Sequence, residues 1–83
     1  MGLSGTTIRI QFGLNVRLRR TQQGFSQEVL GNAAGLDRTY ISGIERGIRN
    51  PSLEIIGRLA SALGCSPAEL LDLALLERDE PGH

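Results

Sequence analysis

The stretch GLDRTYISGIERGIRNPS, residues 35–52, opens on a glycine and runs on at helical spacing. It then meets a second glycine and ends in a basic loop that stops at a proline. Leu36, Ile41 and Ile44 are spaced to share one face of a short helix. Around that helix stand Arg38, Thr39, Ser42, Arg46 and Arg49, all of them hydrogen-bond donors. A helix with its apolar face turned to a core and donors crowded on its other side is suited to touching a polar partner.

Working upstream, Ser26 is a good N-cap for a preceding helix, QEVLGNAA, with Glu28 in its first turn where the helix dipole favours an anion. Val29, Leu30, Ala33 and Ala34 are expected to face inward. Gly35 suits the left-handed position after that helix, and Gly31 is small enough to let the two helices cross closely. Asp37 caps the next helix, about Arg38 to Arg46, and Gly47 closes it. Two helices of about two turns joined by a tight glycine turn make a helix-turn-helix. An ordinary αα-hairpin would share that pattern, and the donors separate the two. In a DNA-bound helix-turn-helix, the first residues of the second helix meet base edges in the major groove. Here these are Arg38 and Thr39, with Ser42 one turn on. Arginine forks onto a guanine's N7 and O6, whereas Thr and Ser are small, adaptable readers. Ser26 and Gln27 lie where a helix start offers free N–H groups to a phosphate. Arg46, Arg49 and Asn50 follow the reading helix, beside the groove wall.

The rest of the chain also reads as helices. A first helix is expected from about Thr7 to Gln22, with Ile8, Phe12 and Val16 on one stripe. Pro51 and Ser52 open a fourth, with Leu53, Ile56, Leu59, Ala60 and Leu63 on its buried side and Gly64 at its end. Ser66 to Glu69, SPAE, is a capping box with proline at the first helical position, and the fifth helix is expected to reach about Leu76. The fold class is therefore all-α, a compact five-helix bundle. Residues 1–6 read as a flexible N-terminal tail, 7–76 as the DNA-binding domain with a C-terminal dimerisation helix, and 77–83 as a polar tail.

Composition narrows the function. The 83 residues suffice for one small domain, and three aromatic residues leave an aliphatic core. Residues 1–50 hold seven arginines against three acids; residues 51–83 hold two against six. A basic half joined to an acidic half suggests one face for a polyanion. Cys65 is the only cysteine and His83 the only histidine, so neither a disulfide framework nor a metal site is expected. Cys65 itself reads as a small buried apolar residue. No apolar run approaches the ~20 residues of a membrane helix, and the N-terminus does not read as a signal peptide. A cytoplasmic protein with no cofactor, no membrane partner and no small-molecule ligand is expected. No Ser–His, His–Cys or paired-carboxylate arrangement suits a catalytic pocket, so an enzyme is not expected.

The segment GFSQEVLGNAAGLDRTYISGIERGIRNPSLEIIGRLASALGCSPAELL resembles the phage-repressor/Cro-like helix-turn-helix family, also called the xenobiotic-response-element family. LDRTYISGIER is similar in particular to the controller proteins of restriction-modification systems, small stand-alone dimers of this fold. The resemblance implies that Gln27 contacts a phosphate and that Arg38, Thr39 and Ser42 read bases. It places Tyr40, Arg46, Arg49 and Asn50 near the DNA backbone. It also implies a buried salt bridge between Arg20 and Glu45, with a solvated Glu45 beside Arg46 or Arg49 as the alternative. Three positions depart from the family pattern, the first being Cys65, which stands where Val or a similar residue is common. Gly31 stands where Ala is usual, which suggests a slightly soft second helix. Gly43 stands where a longer side chain is frequent, which removes one base reader and shifts weight to Arg38.

The expected function is sequence-specific binding of a double-stranded DNA operator by a homodimeric transcriptional regulator. A second reading stays open: an antitoxin or interaction module of a toxin–antitoxin pair that also binds its operator. The fifth helix, PAELLDLALLE, is apolar all round, so a second copy is expected to cover what the domain cannot. Leu73, Leu75 and Leu76 are the expected interface residues.

Overall fold

The computed structural model describes residues 4–73. Within them the chain forms α1 (Gly5–Gln22), α2 (Gln27–Ala34), α3 (Arg38–Glu45), α4 (Leu53–Leu63) and α5 (Pro67–Leu70). Each helix starts on a side-chain cap. Ser4, Ser26, Asp37, Ser52 and Ser66 each accept a hydrogen bond from a first-turn N–H, which satisfies a donor that the helix cannot. Ser66 and Glu69 complete the capping box. α2 and α4 stop on left-handed glycines, Gly35 at φ 71° and Gly64 at φ 70°. Both stops follow from the absence of a Cβ.

Phe12 and Val16 of α1 meet Leu30 and Ala34 of α2, Ile41 and Ile44 of α3, and Ile56, Leu59, Ala60 and Leu63 of α4 in one cluster, closed by Leu70. α3 packs against both α1 and α2, with its Ile41 and Ile44 fully covered.

Two close approaches fix this packing. A Cβ on Gly31 would lie 2.5 Å from the Leu36 carbonyl oxygen. The turn folds back there, because Leu36 N–H donates to the Gly31 carbonyl at 2.8 Å. In this chain a side chain at position 31 would therefore require the turn to shift. Gly13, in the middle of α1, faces the C-terminus of α3; a Cβ there would run into the Ile44 carbonyl oxygen and lie 2.8 Å from that of Glu45.

Several expectations change. α1 starts at Gly5 and not at Thr7, because Ser4 accepts from Thr7 N–H at 3.0 Å and nucleates the turn before it. Residues 4–6 therefore belong to the helix and its cap. Val29 and Ala33 are exposed: Leu30 and Ala34, one turn apart, give this eight-residue helix its single buried face. Leu53 is 83% exposed, since the first residue of α4 projects past the core and Ile55 packs there in its place. Cys65 is half-buried, and that burial pushes its thiol pKa up.

The largest correction concerns α5. It ends at Leu70, and Leu71, Asp72 and Leu73 are not helical, whereas the sequence predicts a continuous helix to about Leu76. The Asn15 side-chain amide donates to the carbonyls of Leu70 and Asp72, both at 2.9 Å, and holds the chain in a non-helical course after Leu71. Leu73 is half-buried; Leu75, Leu76 and the tail 77–83 lie outside the described residues, as do residues 1–3.

Two glycine substitutions separate the close approach from ordinary helix propensity. Gly31→Ala should destabilise the domain by about 1–3 kcal/mol, the scale of overpacking. Gly57, inside α4, has nothing within 4 Å of a Cβ. Gly57→Ala should therefore stabilise by about 0.5–1 kcal/mol. Urea denaturation of both variants checks the pair.

Candidate nucleic-acid interface

Glu45, the last residue of α3, anchors that end of the helix with its carboxylate. Arg20 of α1 grips that carboxylate side-on, Nε to Oε2 at 2.6 Å and Nη2 to Oε1 at 3.0 Å. Arg20 Nη1 also donates to the Phe25 carbonyl at 2.8 Å, which ties in the loop before α2. Gln27 Nε2 donates to Glu45 Oε1 at 3.1 Å. The side chains of Arg20 and Glu45 are only 12% and 4% exposed. The bond to Glu45 raises the Arg20 guanidinium pKa against the opposing effect of burial. One carboxylate therefore joins α1, α2 and α3. This is the buried alternative for Glu45, and the solvated one is set aside.

The other end of α3 is set by Asp37. Its Oδ1 accepts from Thr39 N–H at 2.8 Å and from the Thr39 hydroxyl at 2.6 Å. These bonds, the hydroxyl's first, hold the Asp37 carboxyl below its usual pKa, with a smaller contribution from the nearby Arg38 charge. Thr39 keeps its hydroxyl lone pairs and methyl group for a partner, while its proton goes to the cap. Arg38 and Thr39 are exposed and Ser42 is half-buried. Arg46, exposed, reaches back along the helix to the Ser42 carbonyl at 3.4 Å. Arg49 lies over the Tyr40 ring at 5.5 Å from its centroid, and Asn50 is exposed in the loop beyond.

Arg38, Thr39, Ser42, Arg46 and Arg49 are thus gathered on and around the outward side of α3, whose inward side is Ile41, Ile44 and Glu45. Gln27 has a role inside the protein that the sequence did not show: one N–H of its amide donates to Glu45. Ser26 is exposed, with its hydroxyl capping α2 through Val29 N–H at 3.0 Å. Three contributors went unread in the sequence: Gly13, Asn15 and the seating of Arg49 on Gly43. Gly13 had a readable signal, a glycine within an otherwise regular apolar stripe; the other two depend on contacts across long sequence separations or on a loop path. Among the described residues, no three His, Cys, Asp or Glu side chains gather as a metal site.

Two short helices joined by a left-handed glycine, the second capped, anchored at its end and lined outwardly with donors, define a helix-turn-helix domain. The chain belongs to the helix-turn-helix family of transcriptional regulators, whose model matches residues 16–70. It is 47% identical over 70 residues to the control protein C.BamHI of Bacillus amyloliquefaciens, covering 83% of this chain and 86% of that one. The restriction-modification controller protein C.AhdI of Aeromonas hydrophila superposes with a TM-score of 0.72 at 51% identity, over 74% of this chain and 92% of that one. The biofilm master regulator SinR, solved in complex with DNA, gives a TM-score of 0.70 at 32% identity, over 74% of this chain and 98% of that one.

Because the Arg20–Glu45 pair is buried, removing one partner strands the other charge. Glu45→Ala should lower stability by about 3–5 kcal/mol. Thermal and urea unfolding test this, and a change within about 0.5 kcal/mol would mark the pair as a surface bridge.

Proposed function

We propose that this chain is a sequence-specific, double-stranded DNA-binding regulator that acts as a cytoplasmic homodimer on a pseudo-palindromic operator. We further propose that it is a restriction-modification controller protein like the relatives it matches. The observation that carries this reading is the exposed start of α3, with Arg38 and Thr39 in solvent on a helix anchored at both ends. Such a helix enters a major groove with its donors already aimed. Arg38 has the chemistry to read a guanine, Thr39 and Ser42 adapt to neighbouring bases, and Arg46 and Arg49 neutralise phosphates. Ser26, Gln27, Tyr40 and Asn50 contribute the remaining backbone contacts, Ser26 and Gln27 through the α2 N-terminus. Among the described residues no helix is long and apolar enough to cross a membrane.

Dimerisation has support of its own. Leu14 and Leu18 stand 48% and 55% exposed on α1. Both flank Asn15, which holds the backbone just before Leu73. Leu73, Leu75 and Leu76 would join that apolar surface across a two-fold axis. Two reading helices would then meet successive major grooves about 34 Å apart.

Binding-site selection from a random duplex pool tests the base readers. Arg38→Ala should cost about 1–3 kcal/mol at one base position and relax the preference there. Arg46→Ala should instead weaken binding to all sequences alike and reduce the salt dependence. An unchanged preference in Arg38→Ala would place the reading surface elsewhere.

Sedimentation at micromolar concentration tests the dimer. A species of twice the 9.0 kDa chain mass is expected. A persistent monomer that binds single half-sites without cooperativity would overturn it.

A further inference from the structure

Gly43 is buried, although it sits one turn after Thr39 on the outward side of α3. What covers it is Arg49. A Cβ at Gly43 would lie 2.8 Å from Arg49 Cγ and 3.3 Å from its Nε. The Gly43 carbonyl accepts from the N–H groups of Ile48 and Arg49, at 2.9 and 3.3 Å, so the loop after α3 is drawn back onto this residue. The guanidinium then stacks over Tyr40, three positions before Gly43. Arg49 thereby lies along the flank of the reading helix, and the missing side chain at Gly43 is its seat.

We propose that Gly43 and Tyr40 are positioning residues, which hold Arg49 against α3 in the place from which it contacts DNA; this rests on the DNA-binding reading above. A free arginine would lose its rotamer freedom on binding, whereas a seated one has lost it beforehand. The gap at position 43 is thus not a lost base reader. It is the space that lets a loop arginine join the surface of the reading helix. The contact with Tyr40 fixes where the guanidinium sits, and its outer N–H groups can fork onto phosphate or base oxygens.

The experiment is Gly43→Ala, read by DNA affinity, by stability and by the Arg49 side-chain NMR signals. Ala is the better helix former, and the clash is relieved by swinging Arg49 outward. The variant should therefore fold at least as stably as the wild type. It should bind a selected duplex roughly two- to fivefold more weakly, the scale of an exposed cation–π contact. The Arg49 δ and ε protons should lose their upfield ring-current shift. Tyr40→Leu, which adds no bulk, should produce the same loss of shift, with an affinity loss at least as large because Tyr40 also contributes a backbone contact. In an Arg49→Ala background, Gly43→Ala should have no further effect on binding. Wild-type affinity in Gly43→Ala, or an undiminished effect in the Arg49→Ala background, would overturn the positioning role alone. A wild-type chain that selects no duplex at all would instead overturn the DNA-binding reading, and the positioning role with it.

Discussion

The Glu45 carboxylate is the constraint on which the rest of the domain depends. It ends α3, lies almost wholly out of water, and takes three hydrogen bonds from two other elements. A buried carboxylate without partners would be strongly unfavourable, so the partners fix where α3 sits relative to α1 and α2. Arg20 adds geometry as well as charge. Its planar fork matches the carboxylate in one orientation, and its third nitrogen reaches the loop that launches α2. The two helices of the motif are thus referenced to one guanidinium. Apolar packing alone would tolerate a degree of sliding between short helices; this ion pair does not.

Close approach of backbones makes the ion pair possible. Gly13 lets α1 come down onto the carbonyls at the end of α3, beside Glu45 itself. Gly31 does the same between α2 and the turn that follows it. Gly43 uses the same freedom on the outer surface, where an arginine takes the vacant space. In each case, leaving out a side chain places another group with higher precision than adding one could.

Much of this was legible in the sequence, for identifiable reasons. Caps and glycine stops are local signals, so four of the five helix starts and the αL ends at Gly35 and Gly64 could be read directly. The donors of α3 were legible because helical spacing separates them from Ile41 and Ile44. The Arg20–Glu45 bond came from family resemblance, since nothing in local spacing pairs residues so far apart. What failed was what depends on tertiary partners. The end of α5 is set by Asn15, more than fifty residues away, and leucine periodicity carried no trace of it. Val29, Ala33 and Leu53 are apolar but exposed, because short helices have one buried face and residues beside it or at its end fall outside. The bond from Gln27 to Glu45 was likewise not readable, because it too joins residues far apart in the chain.

α3 thus has an anchored inner side and a donor-lined outer side. The most direct test of that account is a backbone-amide NMR titration with a duplex recovered by binding-site selection. The largest perturbations should fall at Arg38, Thr39, Ser42 and residues 46–50, with smaller ones at the start of α2 and little change in α5. Perturbations concentrated on the outer face of α1 around Leu14 and Leu18, with α3 unaffected, would contradict it.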